Sequence, residues 1–306
     1  MKDHRRAAIA FPAALVLLAA TAISVIAQAP VSVTDVNGNE IVIEDASRVA
    51  TLGGVVTETA YALGVADQIV AVDDSSFYPP EALAEKPSLG YYRFLAAEPV
   101  LSADPSLIIG NEETGPPDVV AQLEGAGVPV LLLPDSNDVD GARQLIRTMG
   151  QVLGAEAAAA GLIEQLDLEV AAAAELVAGA TEVPRVLFIL KPPQAPTLIA
   201  GGDTAAGSMI TLAGAENVFP GFDSYVPMTP EGIVETAPEV ILTTDDSIRE
   251  FGGMDAFLAD PGVAATPAAQ NGRIVSMDDL YLLGFGPRTG QAIADLAVLL
   301  HPELAP

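Results

Sequence analysis

Two adjacent phenols and a guanidinium, Tyr91, Tyr92 and Arg93, are the side chains of this chain best suited to hold a ligand. A phenol has a pKa of about 10 in water, and a nearby cation favours its ionised form. The group follows Gly90 and has no second copy in the sequence. We therefore interpret it as the special ligand contact of one half of the molecule. The alternative is a half-buried aromatic turn with a solvated arginine.

A repeated pattern predicts the elements that position this group. In each copy a glutamate precedes a proline by seven residues, and an apolar run starts two residues after the proline. The copies are Glu98, Pro105 and 107–109, and Glu231, Pro238 and 240–242. The pattern predicts a short amphipathic helix, a turn and a buried strand. Two copies about 130 residues apart indicate two similar α/β lobes.

The composition argues against catalysis. His301 is the one histidine outside the first 29 residues, and cysteine is absent. Ser-His-Asp triads, histidine or thiolate metal sites and disulfides are therefore not expected. The carboxylates are too numerous to single out a catalytic pair. Gly201-Gly202-Asp203 lacks the lysine of a phosphate-binding loop and the glycine spacing of a dinucleotide fingerprint, so we interpret it as a helix-opening turn.

The charge and the N-terminus indicate partners and compartment. At a formal net charge of −28 the chain lacks the basic surface that nucleic acid binding requires, so no nucleic acid partner is expected. Residues 1–29 combine a basic start, an apolar run from Ala7 to Ile26 and small residues near its end, which predicts a cleaved signal peptide and a periplasmic protein. The alternative is an uncleaved membrane anchor, because the apolar run is nearly long enough to span a bilayer.

Alternating helices and short apolar strands predict an α/β fold with parallel sheets and helices on both faces. Asn37-Gly38 predicts a type I′ hairpin turn. We expect an N-terminal lobe over residues 30–154, a linking backbone helix over 155–180 and a C-terminal lobe over 181–306. The long helix is interpreted as a rigid strut between two Rossmann-like lobes, with a surface helix of one domain as the alternative.

Several motifs resemble those of the periplasmic haem-binding proteins of bacterial haem ABC importers, which have the class III substrate-binding protein fold. The motifs are Thr34-Asp35 with Gly38, Gly53-Gly54-Val55-Val56-Thr57-Glu58, Ala62-Leu63-Gly64, Gly90-Tyr91-Tyr92-Arg93, Ala97-Glu98 and Leu283-Gly284-Phe285-Gly286-Pro287-Arg288. The resemblance covers essentially the whole chain after residue 29. The Gly-Tyr-x-Arg and Leu-Gly-Phe-Gly-Pro-Arg motifs are more particular to the haem group, whereas the others are shared with siderophore and cobalamin binders.

This resemblance implies that two lobes joined by a backbone helix bind the ligand in the cleft between them. In the family a tyrosine after glycine coordinates haem iron through its phenolate, and Tyr91 matches that position. Tyrosine is a known ligand of haem iron. Arg93 matches the family residue that hydrogen-bonds this tyrosine, or it pairs with a haem propionate. Tyr92 stands where the family often has an apolar residue, and it either stacks on the porphyrin or has no contact with it.

The second lobe departs from some relatives, which carry a histidine after its first strand as a second axial ligand. Lys191-Pro192-Pro193 stands there in this chain, so the resemblance favours five-coordinate iron with Tyr91 as its protein ligand. Arg249 and Arg288 are the candidates for propionate contacts from this lobe. Arg288 can instead cap or orient the terminal helix.

The two repeated glutamates have a role implied by the resemblance. Glu98 and Glu231 match the family residues that project from the tops of the two lobes and dock onto arginines of the membrane permease. Equivalent carboxylates, one in each lobe, suit a two-fold transporter surface. The alternative is that each is an early-turn glutamate favoured by the helix dipole.

The predicted function is to capture haem, the transported ligand, and to deliver it to the permease dimer of an ABC importer. No bond is made or broken in the ligand, so the chain is not expected to be an enzyme, and we expect a monomer. A ferric siderophore or a corrinoid on the same fold is the first alternative, which a cleft without a tyrosine contact to the metal would favour. The second is a periplasmic enzyme, which would need a carboxylate pair in the cleft.

Overall fold

The computed structural model describes residues 30–193 and 195–305, which form two α/β lobes joined by a long helix. The predicted signal peptide, residues 1–29, lies outside the described residues. Within the described ranges, no helix is both long and apolar enough to cross a bilayer.

The first lobe contains a parallel sheet and an antiparallel hairpin. Its strands are β1 (Val31–Thr34), β2 (Glu40–Ile43), β3 (Val49–Leu52), β4 (Ile69–Val72), β5 (Leu107–Asn111) and β6 (Val130–Leu133). Its helices are α1 (Gly54–Ala62), α2 (Glu81–Glu85), α3 (Ala97–Ser102), α4 (Pro117–Gly125) and α5 (Val139–Val152), and the chain then enters α6 (Glu156–Val177). The sheet has the strand order β4-β3-β5-β6, and the hairpin pairs β1 with β2.

Burial explains the composition of these strands. Every residue of β3, β5 and β6 is buried. Residues of α1 and α5 pack on one face of the sheet, and residues of α3 and α4 pack on the other. Since both faces are covered, the strands are apolar along nearly their whole length rather than at alternate positions.

The second lobe contains a mixed sheet. Its strands are β7 (Arg185–Leu190), β8 (Leu198–Ala200), β9 (Glu216–Asn217), β10 (Tyr225–Pro227), β11 (Val240–Thr244) and β12 (Ile274–Met277). Its helices are α7 (Ala205–Leu212), α8 (Pro230–Thr236), α9 (Asp245–Glu250), α10 (Met254–Ala259), α11 (Pro261–Ala264), α12 (Pro267–Gln270), α13 (Asp279–Leu283) and α14 (Thr289–Leu300). The strand order is β10-β8-β7-β11-β12, and β9 also pairs with β7.

The predicted parallel sheet is present in the first lobe, whereas the sheet of the second lobe is mixed. β8 runs antiparallel to β7, and β10 runs antiparallel to β8. Only residues 191–197 connect β7 to β8, and a parallel crossover needs a dozen residues or more. The short connection therefore returns the chain in the opposite direction at this edge.

The predicted two-residue hairpin turn is also wrong. β1 pairs with β2 in the register Thr34 to Glu40, so residues 35–39 all belong to the connection. The Asp35 carboxylate accepts hydrogen bonds from the backbone N–H groups of Asn37 and Asn39 at 2.9 and 2.7 Å. This side-chain cap stabilises a longer turn in which Gly38, at φ +83°, supplies the left-handed residue.

The repeated pattern forms the same structure in both lobes. α3 leads into β5, and α8 leads into β11, each through a turn that ends at a proline. The residues before the two prolines, Asp104 and Ala237, both have positive φ, at +50° and +44°. Since non-glycine residues rarely adopt this conformation, its presence at equivalent positions supports an internal duplication.

An arginine makes the same contact in each copy. Arg48 donates to the last two carbonyl groups before Pro105 at 2.7 and 2.6 Å. Arg185 donates to the last two carbonyl groups before Pro238 at 3.0 and 3.2 Å. Each guanidinium thereby satisfies carbonyl groups that the end of a helix leaves without partners.

Helix α6 contacts both lobes. It packs on α5, the last helix of the first lobe, and on α14, the long C-terminal helix. Gly290 permits the second contact, because a Cβ atom at this position would be 2.4 Å from Glu169 Cβ. The prediction of two lobes joined by a long helix is confirmed, and the helix itself begins at Glu156 and ends at Val177.

Candidate functional site

The carboxyl ends of the two sheets face each other. Gly54, just after β3, lies against Leu280, just after β12, so that a Cβ atom on Gly54 would be 3.1 Å from Leu280 Cδ2. Loops at the carboxyl ends of parallel strands are where open α/β sheets bind ligands. The cleft between the lobes is therefore lined by the loops that follow β3 to β6 on one side and β7, β11 and β12 on the other.

Tyr91 lies in one of these loops. It directly precedes a single 3-10 turn, Tyr92–Phe94. The backbone N–H of Gly115, in the loop after β5, donates to Tyr92 O at 3.0 Å, and Leu95 N donates back to Gly115 O at 2.9 Å. This pair of hydrogen bonds holds the turn at the carboxyl end of β5.

A buried polar network fixes the other end of the turn. The Asp73 carboxylate, at the end of β4, accepts hydrogen bonds from Gly53 N and Ser76 Oγ, both at 2.9 Å. The next residue, Asp74, donates its backbone N–H to Gly90 O at 3.0 Å. Gly90 has a φ of +84°, which glycine adopts without strain. The Gly-Tyr pair is thus held between two strands of the sheet.

Arg93 contacts the Tyr91 phenol. Its Nη1 donates to the Tyr91 hydroxyl at 3.0 Å, which is the contact that the resemblance implies for these positions. The other end of the guanidinium forms an ion pair with Glu113. The hydrogen bond from this cationic donor holds the Tyr91 hydroxyl oxygen in a fixed position. Glu113 had not been singled out, because it is twenty residues away in the sequence and approaches Arg93 through the loop after β5.

Tyr92 is the buried member of the pair, and its ring lies edge-to-face against that of Tyr91, with 4.7 Å between the two ring centroids. Its side chain lies in the apolar cluster under the turn, with Leu89 and Leu95, and the residue is 8% exposed. Burial raises the pKa of the Tyr92 phenol above its usual value, so this phenol stays neutral. Its hydroxyl donates a long hydrogen bond, at 3.5 Å, to Glu113. The geometry therefore favours Tyr91 over Tyr92 as the metal-binding phenol.

Phe94 supplies an aromatic surface that sequence reasoning missed. The residue is 79% exposed, and its ring centroid lies 6.0 Å from that of Tyr91. An aromatic ring on the surface next to a candidate metal ligand suits a large flat ligand. The exposure of Phe94 depends on how the turn packs on the lobe, which the residue types at these positions do not indicate.

Arg288 lies where the lobes meet. Its Nε and Nη2 donate to the two carboxylate oxygens of Glu58 in α1, each at 2.8 Å. Burial lowers the pKa of Arg288, but the hydrogen bonds to Glu58 and its charge raise it. The net effect is a raised pKa, so the guanidinium is charged. Its backbone caps α14, but its side chain makes no capping hydrogen bond there. A contact between Arg288 and a propionate stays a prediction, since the guanidinium is paired with the Glu58 carboxylate in this structure.

Arg249 and Lys191 lie at the carboxyl edge of the second sheet. Arg249, in α9, is 68% exposed on its side chain and pairs with Asp246, three residues earlier on the same helix. Lys191, at the end of β7, directs its ammonium group to the carbonyl of Ala195. Exposed pairs within one helix contribute only about 0.3–0.5 kcal/mol, so Arg249 can exchange its partner at low cost.

The two repeated glutamates occupy equivalent positions. Glu98 lies in the first turn of α3, and Glu231 lies in the first turn of α8. Both are exposed. Because each helix runs back towards the amino end of the strand that follows it, both glutamates lie at the carboxyl edges of their sheets.

Comparisons with known proteins agree with this arrangement. Residues 49–281 match the family described as periplasmic binding protein. The solved periplasmic heme-binding protein of Roseiflexus sp. RS-1, in its apo form, is 40% identical, with a TM-score of 0.80 over 85% of this chain and 100% of that chain. A second, BhuT, solved in complex with two hemes, is 41% identical, with a TM-score of 0.77 over 84% of this chain and 99% of that chain. The predicted resemblance and fold class are confirmed.

A relative with a different ligand also matches. The cobalamin-binding protein of Halobacterium salinarum is 28% identical over 279 residues, which cover 89% of this chain and 74% of that protein. The family and these neighbours are all described as binding proteins.

Proposed function

We propose that this chain, which belongs to the periplasmic binding protein family, captures haem between its lobes and delivers it to the permease of an ABC importer. The observation that carries the proposal is the Tyr91–Arg93 contact, a phenol and a guanidinium 3.0 Å apart at the carboxyl edge of the first sheet. The 40% and 41% identity to two heme-binding proteins over almost their whole lengths supports the same ligand class.

Tyr91 binds the ferric iron through its phenolate in this proposal. Arg93 donates a hydrogen bond to the phenol oxygen and keeps it in a fixed direction, and the ion pair with Glu113 holds the guanidinium in place. The exposed ring of Phe94 packs on the porphyrin. Tyr92 supports the turn from below, so it does not compete for the iron.

Arg249 is the better of the two candidates for a propionate contact from the second lobe. Its partner Asp246 is an exposed neighbour on the same helix, so a propionate can replace that carboxylate at little cost. Arg288 would have to leave Glu58, which is 4% exposed and would lose its charged partner in a buried site. Breaking a buried ion pair on one side costs about 3–5 kcal/mol, so we do not assign Arg288 to a propionate.

Glu98 and Glu231 are the proposed docking residues for the permease. The shared helix–turn–strand structure, with Arg48 and Arg185 in equivalent contacts, places the two carboxylates at matching positions of the two lobes. A pair of subunits related by a two-fold axis presents two equivalent sites, one for each carboxylate. The chain then works in the periplasm, with residues 1–29 as the export signal.

A corrinoid is the second candidate ligand, favoured by the cobalamin-binding relative. In cyanocobalamin both axial positions of the cobalt are already occupied, and the ring carries neutral amides where haem has two propionates. Tyr91 would then have no open metal position to bind, and Arg249 would have no ring carboxylate, so affinity for cyanocobalamin should depend little on either residue.

A visible-spectrum titration of the purified protein tests the proposal. Ferric haem should produce a saturable spectrum with a tyrosinate–iron charge-transfer band, and the equivalence point gives the number of haems bound. Tyr91→Phe should lose the band, whereas Tyr92→Phe, the neighbouring matched control, should keep it. Saturable binding that Tyr91→Phe leaves unchanged would remove Tyr91 as the ligand. Binding of cyanocobalamin with no binding of haem would replace the proposal by its alternative.

A further inference from the structure

We propose that Arg288 is a positioning residue that holds the two lobes in one relative orientation, and that it acts on the ligand through Glu58 and Tyr78 rather than by contact. Its effect on ligand binding rests on the proposed function, but its effect on the lobes does not. The inference assigns a role to the Leu283–Arg288 motif, which the proposed haem contacts leave unexplained.

The interlobe ion pair of Glu58 and Arg288 joins residues 230 positions apart in the sequence. Glu58 belongs to α1 of the first lobe, and Arg288 precedes α14 in the second. Both donor–acceptor distances are 2.8 Å, which is the two-fold fork geometry that guanidinium forms with carboxylate. The side chains are 5% and 21% exposed, so solvent screens this pair far less than a surface pair.

Aromatic rings enclose the guanidinium. Its Cζ atom lies 3.6 Å from the ring centroid of Tyr78, in the first lobe, and 4.8 Å from that of Tyr281, in the second. A guanidinium stacks on aromatic faces through cation–π attraction. Arg288 therefore contacts the first lobe at two separate places, the helix α1 and the loop after β4.

Glycines bring the backbones together around this pair. A Cβ atom on Gly286 would be 2.7 Å from Val55 Cγ2, and one on Gly54 would be 3.1 Å from Leu280 Cδ2. Two small residues, one from each lobe, thus permit close packing on either side of the ion pair. Such packing leaves little freedom for one lobe to rotate on the other at this place.

The contact with Tyr78 links this region to the candidate ligand site. Tyr78 lies in the loop 73–90, the same loop that ends at Gly90 and Tyr91. The two ends of the loop are joined by the hydrogen bond from Asp74 N to Gly90 O, at 3.0 Å. Loss of the stacking between Arg288 and Tyr78 frees one part of the loop that positions Tyr91, the proposed iron ligand. Haem should therefore dissociate faster although no residue in contact with haem has been removed.

Distance measurements between the lobes test the positioning role in the ligand-free protein. The chain has no cysteine, so two introduced cysteines can carry spin labels without background. Glu124→Cys in α4 and Asp255→Cys in α10 are exposed positions, one in each lobe. In this labelled background, Glu58→Gln and Arg288→Gln should each broaden the interlobe distance distribution.

Two further variants separate a specific pair from general destabilisation. The double variant Glu58→Gln/Arg288→Gln should broaden the distribution no more than either single variant, because paired residues are not additive. Arg143→Gln, which removes a guanidinium that joins α5 and α6 through Asp167, should leave the distribution unchanged. A narrow, wild-type distribution in both single variants would overturn the proposal, whether or not the protein binds haem.

The rate of haem dissociation tests the effect of Arg288 on the ligand. We expect Glu58→Gln and Arg288→Gln each to raise the dissociation rate of haem by about tenfold. If Arg288 contacts a propionate, Glu58→Gln frees it and slows dissociation while Arg288→Gln speeds it, and such opposite signs would overturn the proposal. Failure of the wild-type protein to bind haem would refute the proposed function and leave the interlobe distances to decide the positioning role.

Discussion

The close approach of α6 and α14 predicts that one substitution has opposite effects at two glycines of this helix pair. A Cβ atom at Gly290 would lie 2.4 Å from Glu169 Cβ, against about 3.5–4.0 Å for an ordinary carbon contact. Gly290→Ala therefore forces α14 away from α6 by more than about 1 Å, and overpacking of this kind costs about 1–3 kcal/mol. Gly161, in α6, has nothing within 4 Å of its Cβ position.

The two variants share the intrinsic gain of alanine over glycine in a helix, about 1 kcal/mol at an interior position. Gly161→Ala should therefore raise the free energy of unfolding by up to about 1 kcal/mol. Gly290→Ala should lower it by about 1–2 kcal/mol, since overpacking exceeds the smaller gain expected in the first turn of α14. Urea unfolding followed by circular dichroism measures both. A Gly290→Ala protein as stable as Gly161→Ala would refute the close contact between the linking helix and the C-terminal helix.

Two other expectations follow from single side chains. Burial raises the pKa of Asp279 to about 6, so its ionisation destabilises the folded state. Asp279→Asn should therefore raise the free energy of unfolding by about 1–2 kcal/mol at pH 7.5. This gain in stability should decline as the pH falls through 6 and vanish near pH 4. A gain that does not change with pH would contradict this explanation. Glu98→Arg and Glu231→Arg should each reduce transport by the reconstituted importer and leave haem affinity unchanged. Glu235→Arg, on the exposed side of α8, should leave both transport and haem affinity unchanged. Equal effects of all three variants on transport would point to net charge instead of docking.

Local patterns predicted the elements around the site well. The repeated Glu-to-Pro spacing corresponds to α3–β5 and α8–β11, and the apolar runs form strands that are buried throughout. These features depend on residues close in the sequence, whose periodicity reports burial directly. The turn after β1 was predicted wrongly because Asp35, rather than Asn37-Gly38 alone, determines its length by capping two backbone N–H groups.

Partners distant in the sequence could not be predicted in this way. Nothing near Arg93 indicates that Glu113 pairs with it, and nothing near Arg288 indicates Glu58. Both carboxylates look like ordinary acidic residues in a chain with 41 of them. Which carboxylate pairs with an arginine depends on the positions of loops and helices after folding. The order of charged residues in the sequence does not give the distances between them in the folded chain.

The sequence by itself determined the two-lobed α/β class, the buried strands, the long central helix and the phenol–guanidinium group, because each follows from residue types at short spacing. The tertiary structure decided which phenol is available, since Tyr91 contacts Arg93 while Tyr92 is buried beneath the same turn. It also decided that Arg288 contacts the opposite lobe. Those distinctions depend on burial and on pairing across the lobes, and both exist only once the chain is packed.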